Sequence, residues 1–152
     1  MCHGNSTRAS QGGSIAVLRA PQCHLLSSAS SSSYLGADEE WRLHFFNRAG
    51  TTSSCGTEVT LQGTRSQQRE RYKIIIHRDG DLTSAASPTL DECKSRPLFS
   101  FSLHPDHYNS TLLPQKLDLG VGDSGIIGRR VSVMTDSGAK PTSVAVGIIG
   151  WN

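Results

Sequence analysis

The chain has 152 residues, enough for one domain and not comfortably two. Its hydrophobic share is 36% and its formal net charge is +2, so the core is thin and the charge too near neutral to imply nucleic acid or an acidic membrane as partner. No stretch reaches the roughly 20 mostly apolar residues that cross a bilayer. The longest apolar run, Val144 to Trp151, is one strand long.

Residues 1–37 are rich in Ser, Gly, Gln and Ala and include the tract Ser27-Ser28-Ala29-Ser30-Ser31-Ser32-Ser33. Ordering a residue costs about 1–2 kcal/mol of backbone entropy, and such a segment has little apolar surface to offset it, which predicts a disordered tail. Within it Ile15-Ala16-Val17-Leu18 offers an optional edge strand. The polar start Met1-Cys2-His3-Gly4-Asn5 has no hydrophobic stretch of secretion-signal length, so the default expectation is a cytoplasmic or nuclear protein. Cys2, Cys23, Cys55 and Cys93 form no C-x-x-C pair and read as reduced thiols. Asn5-Ser6-Thr7 and Asn109-Ser110-Thr111 match the glycosylation acceptor pattern but, without entry to the secretory pathway, read as chance.

Residues 38–152 form the expected domain. Trp41-Arg42-Leu43-His44-Phe45 alternates at the strand period, and Asn47-Arg48-Ala49-Gly50 reads as a turn. Thr57 to Leu61 is a second strand. Arg65 to Lys73 is a solvated loop or a short helix. Ile74-Ile75-Ile76 is a buried strand, since β-branched residues pack well on a pleated surface. Turn formers accumulate from Asp79 to Pro97, and Leu98 to Leu103 alternates again. Lys116-Leu117-Asp118-Leu119 is a short alternating strand followed by a glycine-rich turn, Gly120 to Gly125. Arg130 to Met134 and Val144 to Ile149 then read as a hairpin with a long connection. The fold class is mainly β and antiparallel, a partial barrel or small sheet behind a disordered N-terminal tail.

One motif carries a mechanism. Gly122-Asp123-Ser124-Gly125, followed by a strand, a turn and Val146-Gly147-Ile148-Ile149-Gly150-Trp151, resembles the C-terminal barrel of trypsin-like serine peptidases over about one fifth of the chain. Gly50-Thr51-Thr52 is a weaker likeness to a strand of some microbial and viral members. The resemblance implies Ser124 as nucleophile, the N–H groups of Gly122 and Ser124 as oxyanion hole, and Gly150 and Trp151 lining the substrate cleft. Ile126-Ile127 depart from the family's pattern after the motif, and the chain stops at Asn152 where that domain would continue. No histidine motif precedes Ser124, and His24, His44 and His77 lack the family's context. A serine hydroxyl is a poor nucleophile without an adjacent base. The implied reading is therefore a truncated, inactive trypsin-like domain, hydrolysing peptide bonds only if a base is supplied. The alternative is a partly disordered, non-enzymatic binding protein, or the product of a marginal reading frame with no selected activity.

Other signals read as bland. Ile75-Ile76-His77-Arg78-Asp79 has the look of a kinase catalytic loop but lacks the Lys and Asn that should follow. His104-Pro105-Asp106-His107 has no second ligand pair, so neither a metal nor a cofactor is expected. Arg65, Arg69, Arg71 and Lys73 are interrupted by Glu70 and read as a solvated face, not a nucleic-acid site. The expected partner is a polypeptide, as substrate or as binding protein.

Overall fold

The computed structural model describes residues 13–21, 40–48, 56–63, 71–82, 96–103, 110–135 and 142–152. The described residues form eight strands and no helix: β1 (Ser14–Arg19), β2 (Trp41–Arg48), β3 (Gly56–Gln62), β4 (Tyr72–Ile76), β5 (Phe99–Leu103), β6 (Thr111–Leu113), β7 (Arg130–Thr135) and β8 (Thr142–Trp151). They make one sheet in the order β5-β4-β7-β8-β1-β2-β3-β6, every neighbouring pair antiparallel. No described helix is long and apolar enough to cross a membrane.

Alternation along each strand aligns inner rows across the sheet. Leu43 faces Ala16 and Leu61, and Ala16 faces Ile149. Ile74 faces Phe101 and Val133, and Ile76 faces Phe99 and Val131. These rows are the core, with Phe45, Leu18 and Val59 also fully buried. A register shift at Val133/Met134 bulges β8, so that Val144 also packs on the core.

Trp41 of β2 and Tyr72 of β4 show that the sheet curls. Three strands separate β2 from β4, and flat strands about 4.8 Å apart would hold them roughly 19 Å from each other. Their ring centroids are instead 5.3 Å apart at an interplanar angle of 83°, an edge-to-face pair across the interior. The sheet is a nearly closed barrel, with no ladder joining β5 to β6 among the described residues.

The opposite end is closed by residues 114–129. Leu117 and Ile126 enter the core, 2% and 0% exposed. Leu117 is held by a buried polar brace: Thr57 Oγ1 donates to Asn47 Oδ1 (2.6 Å) and accepts from the Leu117 amide (2.8 Å), while Asn47 Nδ2 donates to the Leu117 carbonyl (3.0 Å). On the outer face, Glu58 accepts from Arg48 Nε (2.7 Å) and from Ser110 Oγ. The Arg48 hydrogen bond, seconded by Ser110, holds the Glu58 carboxyl below its ordinary range.

Four expectations need correction. Tyr72 and Lys73, expected at the end of a loop or short helix, begin β4. Ile15 to Leu18 lies not at an edge but in β1, the strand between β8 and β2, so part of the span expected to be a tail belongs to the sheet. The rest of that expectation lies outside the described residues. Asn47 and Arg48 extend β2 where a turn was expected, because their register continues to Thr57 and Gly56. Lys116 to Leu119 is no strand; only an isolated parallel bridge, Asp118 to Gly125, forms there. The four cysteines, the Asn5 to Thr7 pattern, Asn109 of the second glycosylation pattern and His104 to His107 lie outside the described residues.

Candidate active site

Ser124 sits in a turn whose shape follows from its glycines. Gly122 has φ 116°, a backbone region that side chains disfavour. Gly125 passes so close to the Gly120 carbonyl that a Cβ there would collide with it. The turn is closed at its base by Ile126 N–H to the Asp118 carbonyl and Ile127 N–H to the Gly120 carbonyl, both 3.0 Å. The glycines of G-D-S-G are thus explained by the turn itself.

The Ser124 side chain is exposed, and its Oγ donates to Asp118 Oδ2 at 2.9 Å. Asp118 Oδ1 accepts the Gly120 amide at 3.0 Å, so one carboxylate braces both sides of the turn. From below, Arg129 gathers its carbonyls. Nη2 donates to Gly122 O (2.8 Å) and Asp123 O (2.9 Å), Nε donates to Gly125 O (3.0 Å), and Nη1 reaches the Arg78 carbonyl. A planar guanidinium with five donors suits such a cluster of acceptors.

Gly150 lies opposite Ile15 in the β1–β8 ladder, and Trp151 ends β8 opposite Ser14, 40% exposed. Both belong to the barrel end that residues 114–129 close. Gly128 N–H donates to Ile149 O (2.8 Å), and Ile149 N–H to Arg129 O (3.0 Å).

A serine–histidine pair does occur, at Ser132 and His77. Ile74 and Ile76 face the core, so His77 continues the outer row of β4 beyond Ile75, which pairs with Ser132. His77 is nevertheless 5% exposed and Ser132 5%. Arg130 Nη2 lies 3.2 Å from His77 Nδ1, and His77 Nε2 lies 2.9 Å from Ser132 Oγ. A guanidinium can only donate, so Nδ1 must accept and the ring is neutral with its proton on Nε2. That proton is donated to Ser132. A histidine in this state cannot take the serine's proton, and the burial keeps substrate away. Arg130 also pairs with Asp79, Nε to Oδ1 3.4 Å. The result is a chain Asp79–Arg130–His77–Ser132 joining the turn after β4 to β7.

Of the other histidines, His24 lies outside the described residues. His44 projects outward from β2, stacked on Phe46 with centroids 6.1 Å apart. Burial, seconded by the charge of Arg42, pushes its pKa down. Sequence reasoning passed over Asp118, Arg129, Arg130 and Ser132. Arg130 and Ser132 entered it only as members of the expected strand Arg130 to Met134. Among the described residues, no group of three or more His, Cys, Asp or Glu is arranged to hold a metal ion. No protein-family model matches the chain, and no curated protein sequence matches it either.

Proposed function

We propose that the chain acts by binding a polypeptide partner rather than by serine-peptidase catalysis, with the contact surface on the barrel end closed by residues 114–129. The observation that supports this most is the internal use of the polar groups around Ser124. The hydroxyl donates its hydrogen bond to Asp118, and three turn carbonyls accept from Arg129. A carboxylate is a far weaker base than an imidazole, so this pairing favours a fixed turn over an activated nucleophile. What the turn offers outward is Val121, 67% exposed, beside exposed Asp123. A loop already held in one shape loses little entropy on association, which suits a binding surface.

Two measurements test the reading. Peptides selected by display on the wild-type protein should lose binding to Val121→Asp; selected peptides indifferent to that substitution would overturn the assigned surface. A fluorophosphonate probe should leave the folded protein unlabelled. Labelling that disappears in Ser124→Ala would instead establish the trypsin-like reading, with a base assembled at Ser124.

A further inference from the structure

We propose that Asp79–Gly80, in the turn after β4, is a site of spontaneous isoaspartate formation that the fold itself promotes. The Asp79 side chain is 49% exposed. Its Oδ1 accepts from the Asp81 amide at 3.3 Å, an Asx turn that folds the carboxyl back over the Gly80 peptide. The Arg130 guanidinium lies against the same oxygen, Nε to Oδ1 3.4 Å. Gly80 has no side chain to shield its nitrogen.

The reaction needs only water. The Gly80 nitrogen adds to Asp79 Cγ and forms a C–N bond. The Cγ–Oδ2 bond then breaks, and that oxygen departs as water with the amide proton and one proton from solvent. Negative charge gathers on Oδ1 during the addition, where the Asp81 N–H and the Arg130 guanidinium already stand, as donors do in an oxyanion hole. Water then opens the cyclic imide. Attack at Cγ restores aspartate. Attack at the Asp79 main-chain carbonyl carbon breaks its bond to the Gly80 nitrogen, and the chain then runs through Cβ and Cγ, longer by one carbon.

The fold also keeps this dipeptide in place. A Cβ at Gly80 would collide with the Gly128 carbonyl oxygen, so only glycine fits there. Asp79 ties the turn to β7, its carbonyl accepting from the Arg130 amide at 2.7 Å. Asp123 is the other aspartate before a small residue among the described residues. Its carbonyl is held too, by Arg129 Nη2 at 2.9 Å, so the difference lies in the attacking nitrogen. Gly80 leaves that nitrogen open, whereas Ser124 carries a side chain fixed by Asp118. The lengthened product cannot keep Gly80 against Gly128 while Asp79 stays on Arg130. Isoaspartate therefore loosens the contact between the turn after β4 and residues 126–129.

Incubating the full chain in heavy-oxygen water at neutral pH tests this, because each opening of the imide installs one solvent oxygen. Peptides cut afterwards in ordinary water should carry heavy oxygen and isoaspartate at residue 79. The ratio of label at 79 to label at 123 should be higher in the folded protein than in the urea-unfolded chain. No label at 79 in the folded protein, or a ratio equal to or below that of the unfolded chain, would overturn the proposal. Asp79→Glu keeps the charge but must close a larger ring, so label at 79 should fall to background; label persisting there would equally overturn it. If that variant fails to fold, the ratio in the wild type decides.

Discussion

The two ends of the barrel are closed by different physics. At one end Trp41 and Tyr72 meet edge to face across the interior, both nearly buried, and the closure is apolar. At the other, residues 114–129 fold over the opening and are held by hydrogen bonds: the Asn47–Thr57 brace on Leu117, the Asp118 carboxylate and the Arg129 guanidinium. Apolar closure is non-directional and tolerates small shifts. Polar closure demands geometry, and each missing partner strands a donor or acceptor. A single sheet thus carries one end closed by aromatic packing and one whose closing segment is fixed by directed hydrogen bonds.

Three substitutions probe that difference. Trp41→Ala should have the largest effect, a loss of about 3–5 kcal/mol in denaturant unfolding, because it deletes a large buried side chain and its cross-barrel contact. All amides should lose protection together. Arg129→Met should cost about 1–3 kcal/mol, since several carbonyls lose a charged donor. Its exchange signature should be confined to residues 118–130; a uniform loss across β1 to β3 would show that the two ends are one cooperative unit. Ser14→Ala should be the mildest. Ser14 is fully buried opposite Phe45 and Trp151, and its hydroxyl has no hydrogen-bond partner among the described residues. Removing it should leave stability within about 1 kcal/mol of the wild type or raise it. A larger loss would reveal a bound water or a partner for that hydroxyl.

Most strands were legible in the sequence, but the closures of the two ends were not: Tyr72, half of the apolar closure, lies in the span Arg65 to Lys73 that reads as a loop or short helix. β2, β3, β5, β7 and β8 announce themselves by alternation or by β-branched runs, because a residue's face in a strand depends only on its own position. β6 has three residues before Pro114, too few to show a period. β1 is short and lies among Ser and Gly, and it is apolar on both faces; its place between β8 and β2 depends on strands far away in the chain. Leu117 and Leu119 alternate like a strand because both turn inward, but the Thr57 hydroxyl takes the Leu117 amide and draws the segment over the barrel end. Ser124 could be singled out from G-D-S-G, yet its partner Asp118 is six residues upstream and meets it only through the turn. Arg129's acceptors are backbone carbonyls, which carry no sequence signature. His77's role needs β7 beside β4, a pairing across more than fifty residues.

The position of β8 has a consequence for how the protein comes into being. Among the described residues, ladders divide the other strands into two groups, β5-β4-β7 and β1-β2-β3-β6, and β8 is the strand that pairs with both. β8 follows the strands of both groups in the chain, so during synthesis β1 has one of its edges unmatched until β8 emerges. Until then the chain consists of two partial sheets with open seams, each able to recruit a strand from another nascent copy. Closure of the sheet therefore waits on the synthesis of β8, and crowding among unfinished chains would favour exchange of β8 between molecules.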